Sequence, residues 1–302
     1  MIEIKNLSKS FETNEVLKNL SLKIETGSIF GLVGINGAGK STLLRLLSGV
    51  YKADSGTITY NGIDVFDNPI VKKEIFFLPD EPFYSTNTTG ADLFELYKLI
   101  YDADEELFIK YMQIFKLNPV AKINNFSKGM KRQLFIALAI SIKPKYLLLD
   151  EAFDGLDPLA RLTFKRAIIN LGEEFNCTII ISSHSLRELE DFCDSFGILD
   201  HGQITNSGSL SDEIENVHKY QIIFDDEVDE SLFSNFEYIH FSKLGRVIHI
   251  VLKGNQRIIE EEINKLNPAF VDKISVDFEE LFIYEIESRG YLKWHWNILN
   301  MN

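Results

Sequence analysis

The segment Gly34-Ile35-Asn36-Gly37-Ala38-Gly39-Lys40-Ser41 has the spacing G-x-x-x-x-G-K-S. It follows the apolar run Ile29–Val33 and precedes an amphipathic run over residues 42–47, so it is predicted to join a strand to a helix. In that setting, glycines let backbone N–H groups turn toward a phosphate, and the start of the helix adds positive potential. The segment therefore predicts a phosphate-binding loop.

Each polar group of this loop has a predicted role toward a nucleoside triphosphate. The Lys40 ammonium is expected to reach the β- and γ-phosphate oxygens, and the Ser41 hydroxyl is expected to bind Mg²⁺. A glycine-rich turn with an incidental lysine is the alternative, but both flanking elements that the motif requires are present. The residues predicted to contact the phosphates are Asn36, Gly37, Ala38, Gly39, Lys40, Ser41 and Thr42.

The composition is that of a globular protein of 302 residues, with 45% hydrophobic and 25% charged residues. Hydrophobic cores stop growing near this length, so two domains are expected. The net charge of −14 disfavours attraction to phosphate-rich surfaces, and no nucleic-acid partner is expected. Cys177 and Cys193 lie among apolar residues, which predicts buried thiols in a reducing compartment.

The pattern of elements predicts an α/β fold followed by a small α+β domain. Apolar runs alternate with helical patterns over residues 1–210, as in a largely parallel sheet. A helical insertion, about residues 86–145, includes an amphipathic stretch whose apolar face is expected to contain Leu93, Leu96, Tyr97, Ile100 and Tyr101. Residues 211–302 change to short strands around one helix and end in an aromatic tail.

A second chemical motif follows the apolar run at residues 146–149, which ends in Asp150 and Glu151. Ligands bind beyond the carboxyl ends of parallel strands, so these carboxylates are expected beside the phosphate loop. Asp150 is predicted to support Mg²⁺, and Glu151 to act as the general base for the attacking water. The alternative is that Asp150 and Glu151 are simply acidic residues at the end of a strand. The phosphate loop predicted beside them makes this the weaker interpretation.

Between these motifs, Asn125-Phe126-Ser127-Lys128-Gly129-Met130-Lys131-Arg132-Gln133 resembles, in divergent form, the signature of ATP-binding cassette (ABC) ATPases. Gly155-Leu156-Asp157 resembles the D-loop of that family, and Ser182-Ser183-His184 resembles the strand end that carries its switch histidine. The resemblance covers residues 1–210. It implies the P-loop NTPase fold of an ABC ATPase, with ATP and Mg²⁺ as cofactors.

The resemblance also implies roles for individual residues. Ser127 and Gly129 would contact the γ-phosphate, and His184 would act with Glu151 in catalysis. Phe11 matches the aromatic residue that stacks on adenine, and Val16 lies where an apolar contact with the ring is expected. Taken singly, Phe11 could instead be a core or strand-edge aromatic, and His184 could be a hydrogen-bonded histidine at the end of a strand.

A family member with one cassette implies partners on other chains. The family pairs the phosphate loop of one copy with the signature of another, which implies a second ATP-binding subunit, identical or paralogous. It also implies an integral membrane permease, and hence a cytoplasmic subunit peripheral on the inner face of the cell membrane. The alternative is a soluble ABC ATPase acting on a non-transport partner such as the ribosome, which would normally carry two cassettes or a long coiled coil.

The divergent signature and the small second domain look most like ABC-2-type exporters. The resemblance implies export of peptides, drugs or toxic amphiphiles. This class of exporters includes the subgroup with YtrB-like or bacitracin-resistance-like cassettes. Residues 277–284 resemble the closing segment of the accessory domains of these proteins. The following tail places Trp294 and Trp296 in an amphipathic stretch, which could dock on the second subunit, on the membrane interface or on the core of its own chain. Its single lysine favours protein.

The segment Phe77-Leu78-Pro79-Asp80-Glu81-Pro82 departs from the family pattern, because Asp80 stands where the Q-loop glutamine is usual. Asp80 is predicted to reach Mg²⁺, directly or through water, when a membrane partner pushes the loop inward. The following Phe83 and Tyr84 are candidates to receive a short helix of that partner. The alternative is that these two aromatic side chains simply pack over the hydrophobic core.

Overall fold

Residues 1–184, 187–210 and 216–275, together with Glu280 and Tyr284, are described by the computed structural model. The chain divides into two units, Met1–Ser207 and Gly208–Asn302. The aromatic tail and most of residues 277–284 lie outside the described residues. Among the described residues, no helix combines the length and the apolar character needed to cross a membrane.

Two sheets build the first unit. The strands of the first sheet are β1 (Ile2–Phe11), β2 (Asn14–Ile24), β4 (Ser55–Tyr60) and β5 (Ile63–Asp64), and those of the second are β3 (Ile29–Val33), β6 (Ile75–Leu78), β7 (Tyr146–Leu149), β8 (Thr178–Ser183), β9 (Ser195–Asp200) and β10 (Gln203–Ser209). The first sheet is antiparallel in the order β2-β1-β4-β5. The second has the order β10-β9-β3-β8-β7-β6 and is parallel from β9 to β6. The predicted largely parallel sheet is therefore confirmed.

The helices of the first unit are α1 (Lys40–Leu47), α2 (Pro69–Lys72), α3 (Gly90–Lys98), α4 (Glu105–Ile114), α5 (Lys128–Ile142), α6 (Pro158–Phe175) and α7 (Arg187–Glu190). Local capping explains several boundaries. Thr89 and Asp92 form a reciprocal capping box at α3, and Asp157 caps α6 with Pro158 in its first turn. Leucines of α1 share one buried cluster with residues of both sheets, so this helix and the loop before it are held between two layers.

The apolar face predicted for the helical insertion is only partly correct. Leu93 and Phe94 are buried, and the Phe94 ring stacks on Phe108 at a centroid distance of 4.6 Å. Leu96 and Ile100, by contrast, are 53% and 52% exposed. The helix ends at Lys98, so Ile100 lies beyond the last helical turn and does not continue the periodic face.

Both cysteines are buried free thiols, as the sequence predicts. Burial raises the pKa of Cys177 to about 12. Burial also raises the pKa of Cys193, because the thiolate would lose its hydration inside the core. Neither thiol is therefore prepared for nucleophilic chemistry.

The second unit contains β11 (Val217–Ile223), β12 (Tyr238–Leu244), β13 (Val247–Lys253), α8 (Gln256–Lys265) and β14 (Phe270–Ile274). The strands form an antiparallel sheet in the order β12-β13-β11-β14. Apolar residues of one sheet face form a buried cluster with Ile259 and Ile263 of α8. The last strand begins at Phe270, shortly after the chain turns at Asn267, which has φ 51°.

We predict that Leu148→Ala lowers the free energy of unfolding of the first unit by about 3 kcal/mol, through lost burial and a residual cavity. Leu148 lies in the middle of the four-residue strand β7 and is 0% exposed. The matched control is Leu96→Ala, at a 53% exposed side chain, which should change the value by less than about 0.5 kcal/mol. Urea unfolding followed by circular dichroism measures both, and equal losses would contradict the assignment of Leu148 to the core.

Candidate functional site

The phosphate loop lies between β3 and α1, as predicted. Gly39 immediately precedes α1 with φ 112°, and a Cβ atom there would lie 2.9 Å from a methyl carbon of Leu17. Both the backbone angle and the close approach therefore require glycine. Lys40 is only 6% exposed, and its Nζ donates hydrogen bonds to the carbonyl oxygens of Gly34 at 2.6 Å and Ile35 at 3.4 Å. The ammonium is thus held directly over the loop.

Asp150 follows β7 and is fully buried. The Ser182 hydroxyl donates to Asp150 Oδ1 at 2.8 Å and accepts from the Glu151 backbone N–H at 3.0 Å. Within the described part of the chain, Asp150 Oδ2 has no hydrogen-bond partner. A buried carboxylate oxygen without a donor suits a hard cation such as Mg²⁺, so this residue fits the predicted metal role. Ser41, half-buried in the first turn of α1, is the predicted second ligand.

Glu151 joins the phosphate loop to the switch histidine. Its Oε1 lies 3.1 Å from Lys40 Nζ, and its Oε2 lies 2.9 Å from His184 Nδ1. The backbone of Glu151 has φ 45°, a left-handed conformation that is uncommon for a non-glycine residue. Single carboxylate or ring atoms of Glu151, Asp154 and His184 also lie within 4.8 Å of one another. The structure therefore brings the predicted base, the loop lysine and the histidine together.

The signature residues lie at the start of α5. Ser127 is exposed, and its hydroxyl accepts a hydrogen bond from the Met130 N–H at 3.2 Å, which caps the helix. A Cβ atom on Gly129 would lie 2.7 Å from the Gly155 carbonyl oxygen, so the helix start packs backbone to backbone on the D-loop. Among the described residues, no hydrogen bond connects Ser127 to the phosphate loop.

Phe11 and Val16 lie on the hairpin that flanks the loop. Phe11 ends β1, is 39% exposed, and packs its ring edge against Tyr51 at 5.4 Å. Val16 lies in β2, and its Cγ1 is 3.4 Å from the position that a Cβ of Gly39 would occupy. Val16 therefore borders the phosphate loop, while Phe11 presents a partly open ring suited to stacking.

Arg132 is a residue of this region whose role the sequence analysis missed. It is 1% exposed, and it donates to the Pro79 carbonyl at 2.8 Å, to Asp80 Oδ1 at 2.5 Å and to the Glu151 carbonyl at 3.2 Å. Burial lowers the pKa of Arg132, and the nearby carboxylate of Asp80 opposes that shift. The available signal was a basic pair, Lys131-Arg132, shortly before the apolar run of residues 134–140.

Asp80 is therefore engaged in ion pairs with basic residues of the signature helix. Besides Arg132, it lies 3.2 Å from the Lys128 ammonium, which in turn lies 3.6 Å from Asp154. Both ion pairs are made by Asp80 Oδ1, and the predicted contact of Asp80 with Mg²⁺ stays a prediction. In this structure, Asp80 links the Q-loop to the signature helix.

Comparisons with known proteins agree with this geometry. The family model "ABC transporter" matches residues 17–154. The chain is 32% identical over 285 residues to the ABC transporter ATP-binding protein YtrB of Bacillus subtilis, covering 94% of this chain and 97% of that protein. It is 35% identical over 211 residues to the bacitracin transport ATP-binding protein BcrA of Bacillus licheniformis, covering 68% of each.

A solved structure described as the ATP binding subunit of an ABC transporter has a TM-score of 0.65 and 29% identity, covering 70% of this chain and 91% of that chain. The expected fold and the resemblance to ABC ATPases are thereby confirmed. The relative YtrB matches nearly the whole chain, and the phosphate loop, Asp150 and Glu151 form a continuous site. The chain therefore belongs to the family of ABC transporter ATP-binding proteins, as a subunit that hydrolyses ATP to power transport.

Proposed function

We propose that this subunit powers an exporter of peptides, drugs or toxic amphiphiles. Similarity to YtrB over nearly the whole chain and to the bacitracin transport protein BcrA supports the class of transporter. The contact of Glu151 with both Lys40 and His184 carries the chemical part of the proposal. In this proposal, Glu151 acts as the general base beside the Lys40 ammonium, which would bind the γ-phosphate.

In the proposed reaction, Glu151 accepts a proton from water while the water oxygen attacks the γ-phosphorus. The bond from that phosphorus to the bridging oxygen of ADP breaks, and ADP leaves with the electron pair of that bond. Lys40 stabilises the negative charge on the phosphate oxygens, and His184 orients the Glu151 carboxylate. Mg²⁺, held by Ser41 and Asp150, would neutralise phosphate charge.

We infer a two-chain active site from the position of the signature. Ser127 is exposed and makes no hydrogen bond with its own phosphate loop among the described residues. Its exposed hydroxyl and the close-packed Gly129 can instead meet ATP bound to a second subunit in a head-to-tail dimer. The second subunit is an identical chain or a paralogue.

The proposed membrane partner is an integral permease whose short helix binds a groove beside the Q-loop. The groove has a volume of about 490 Å³, and its lining includes Asp80, Pro82, Tyr84 and Lys131. Phe83 also lines the groove and is 91% exposed, which supports a docking role over coverage of the core. Binding there would place the subunit on the cytoplasmic side of the membrane.

The same groove has a direct connection to the general base. Asp80 lines the groove and is bound by Arg132, which also donates to the Glu151 carbonyl. A partner that moves the Q-loop therefore acts on the position of Glu151 through one buried side chain. The ion pair between Asp80 and Arg132 therefore supports control of ATP hydrolysis by the membrane partner. The predicted contact of Asp80 with Mg²⁺ is the alternative way for the partner to control hydrolysis.

We predict that Glu151→Gln retains ATP binding but lowers hydrolysis by about a hundredfold or more, because an amide cannot accept the proton. Glu173→Gln, at an exposed carboxylate of α6, is the matched control and should retain normal turnover. Phosphate release measures hydrolysis, and fluorescent nucleotide titration measures binding. Near-normal turnover of Glu151→Gln would remove this residue from the role of base.

We predict that mixing two inactive variants, Lys40→Ala and Ser127→Arg, restores activity. In a head-to-tail mixed dimer both defects fall in one site and the other site is intact, so about one quarter of the wild-type sites return in an equimolar mixture. Each variant alone is the control. If the mixture hydrolyses ATP no faster than the two variants measured separately, a two-chain site formed by identical chains is wrong.

We predict that Asp80→Asn lowers stimulation by the permease severalfold while ATP affinity is unchanged, because the amide loses its charge pairing with Arg132. Arg132→Lys tests the same pair from its other end, since lysine keeps the charge but not the forked geometry. Similar losses in both variants support gating through the pair. A changed Mg²⁺ requirement in Asp80→Asn alone supports metal contact, and normal stimulation in both variants contradicts gating at this position.

A further inference from the structure

Four apolar side chains form a row across one face of the sheet in the second unit. Leu244 pairs with Val247, Val247 with Ile223, and Ile223 with Phe270, so each of the four strands contributes one residue. We call these four residues the apolar row. Their neighbours Ile222 and Ile248 point to the opposite face, into the core beneath α8.

The apolar row is open to solvent. Leu244 is 80% exposed and Phe270 is 50% exposed, while Val247 and Ile223 are half-buried. A contiguous set of large apolar side chains that spans a whole sheet marks a surface that another segment covers. At a strand spacing of about 4.8 Å, the row is about 14 Å long.

The other end of the same sheet face is already covered. Val251, four residues along β13 from Val247, is 0% exposed. Beside it, Tyr284 stacks on His240 with ring centroids 4.0 Å apart, and Glu280 forms an ion pair with Lys219. Because His240, Val251 and Lys219 are paired in register, the contacts of Glu280 and Tyr284 run across the sheet from β11 to β12.

The remaining chain starts at the correct place to reach the apolar row. Tyr284 lies against the edge strand β12, and His240 is separated from Leu244 by about 14 Å along that strand. Residues 285–290 can span about 20 Å when extended, and they end in Gly290. The next residues are Tyr291, Leu292, Lys293, Trp294, His295, Trp296, Asn297, Ile298 and Leu299.

We propose that residues 291–299 dock on the apolar row of their own chain and complete the second unit. Two tryptophans provide large apolar surfaces that match a row of this width. Asp272 is exposed on the same sheet face, two residues along β14 from Phe270, and provides an acidic partner for Lys293. The surface is thus an intramolecular binding site for an aromatic segment, independent of the ATP site.

The two tryptophans of the chain, Trp294 and Trp296, both lie in this segment, so tryptophan fluorescence of the full-length protein reports on the segment alone. We expect the wild type to emit at shorter wavelength, and to be quenched by acrylamide less, than a synthetic peptide of residues 285–302. Leu244→Asp should shift emission to that of the peptide and raise the quenching constant severalfold. Leu244→Phe should keep the wild-type values.

Leu99→Asp is the matched control, because Leu99 is 84% exposed and belongs to the first unit. It should leave emission unchanged. Circular dichroism verifies folding of each variant, and Phe270→Asp repeats the test on the opposite edge strand. Wild-type emission equal to that of the peptide would overturn the proposal, as would emission that neither aspartate variant changes.

Tryptophan emission also distinguishes three other binding sites for residues 291–299. A blue shift that requires vesicles of phosphatidylcholine and phosphatidylglycerol would assign the segment to a membrane surface. A blue shift that is lost on dilution would assign it to a second copy of the chain. A blue shift that requires the permease would assign it to that partner. Each of these results would overturn docking on the same chain.

Discussion

The contact between Lys40 and Glu151 depends on the register of the parallel sheet. Val33 of β3 is paired with Ser183 of β8, and β7 is paired with the other side of β8, so three strands end at one edge. Lys40, Glu151 and His184 each follow one of these ends and meet there. A site made in this way is preorganised by sheet hydrogen bonds, although Lys40 is more than a hundred positions from Glu151 and His184 in sequence.

The buried guanidinium of Arg132 adds a second constraint to this edge. Removing a charge from water is costly unless carboxylates and carbonyl groups replace the lost hydration. Asp80, Pro79 and Glu151 supply those groups, and they belong to two different strand ends. The signature helix is therefore tied to the catalytic edge by a polar interaction that tolerates little displacement, in addition to the apolar packing of α5 in the core.

Local motifs allowed much of the cassette and its site to be predicted from sequence. The phosphate loop requires glycine and lysine at fixed spacing, and the acidic strand end follows an unbroken apolar run, so both are visible without tertiary information. Arg132 was missed because its partners lie on distant segments. Likewise, the apolar row exists only through pairing of four strands, and the position of Ile100 outside the helix depends on where α3 ends.

The burial of both native thiols has a practical consequence for spectroscopy on this protein. Cys177 and Cys193 are shielded by the core, and their raised pKa values keep them protonated at neutral pH. A cysteine introduced at the surface would therefore react with a maleimide or a spin label far faster than either native residue. Distances between chosen surface positions can be measured in the natural sequence background, without first replacing core residues.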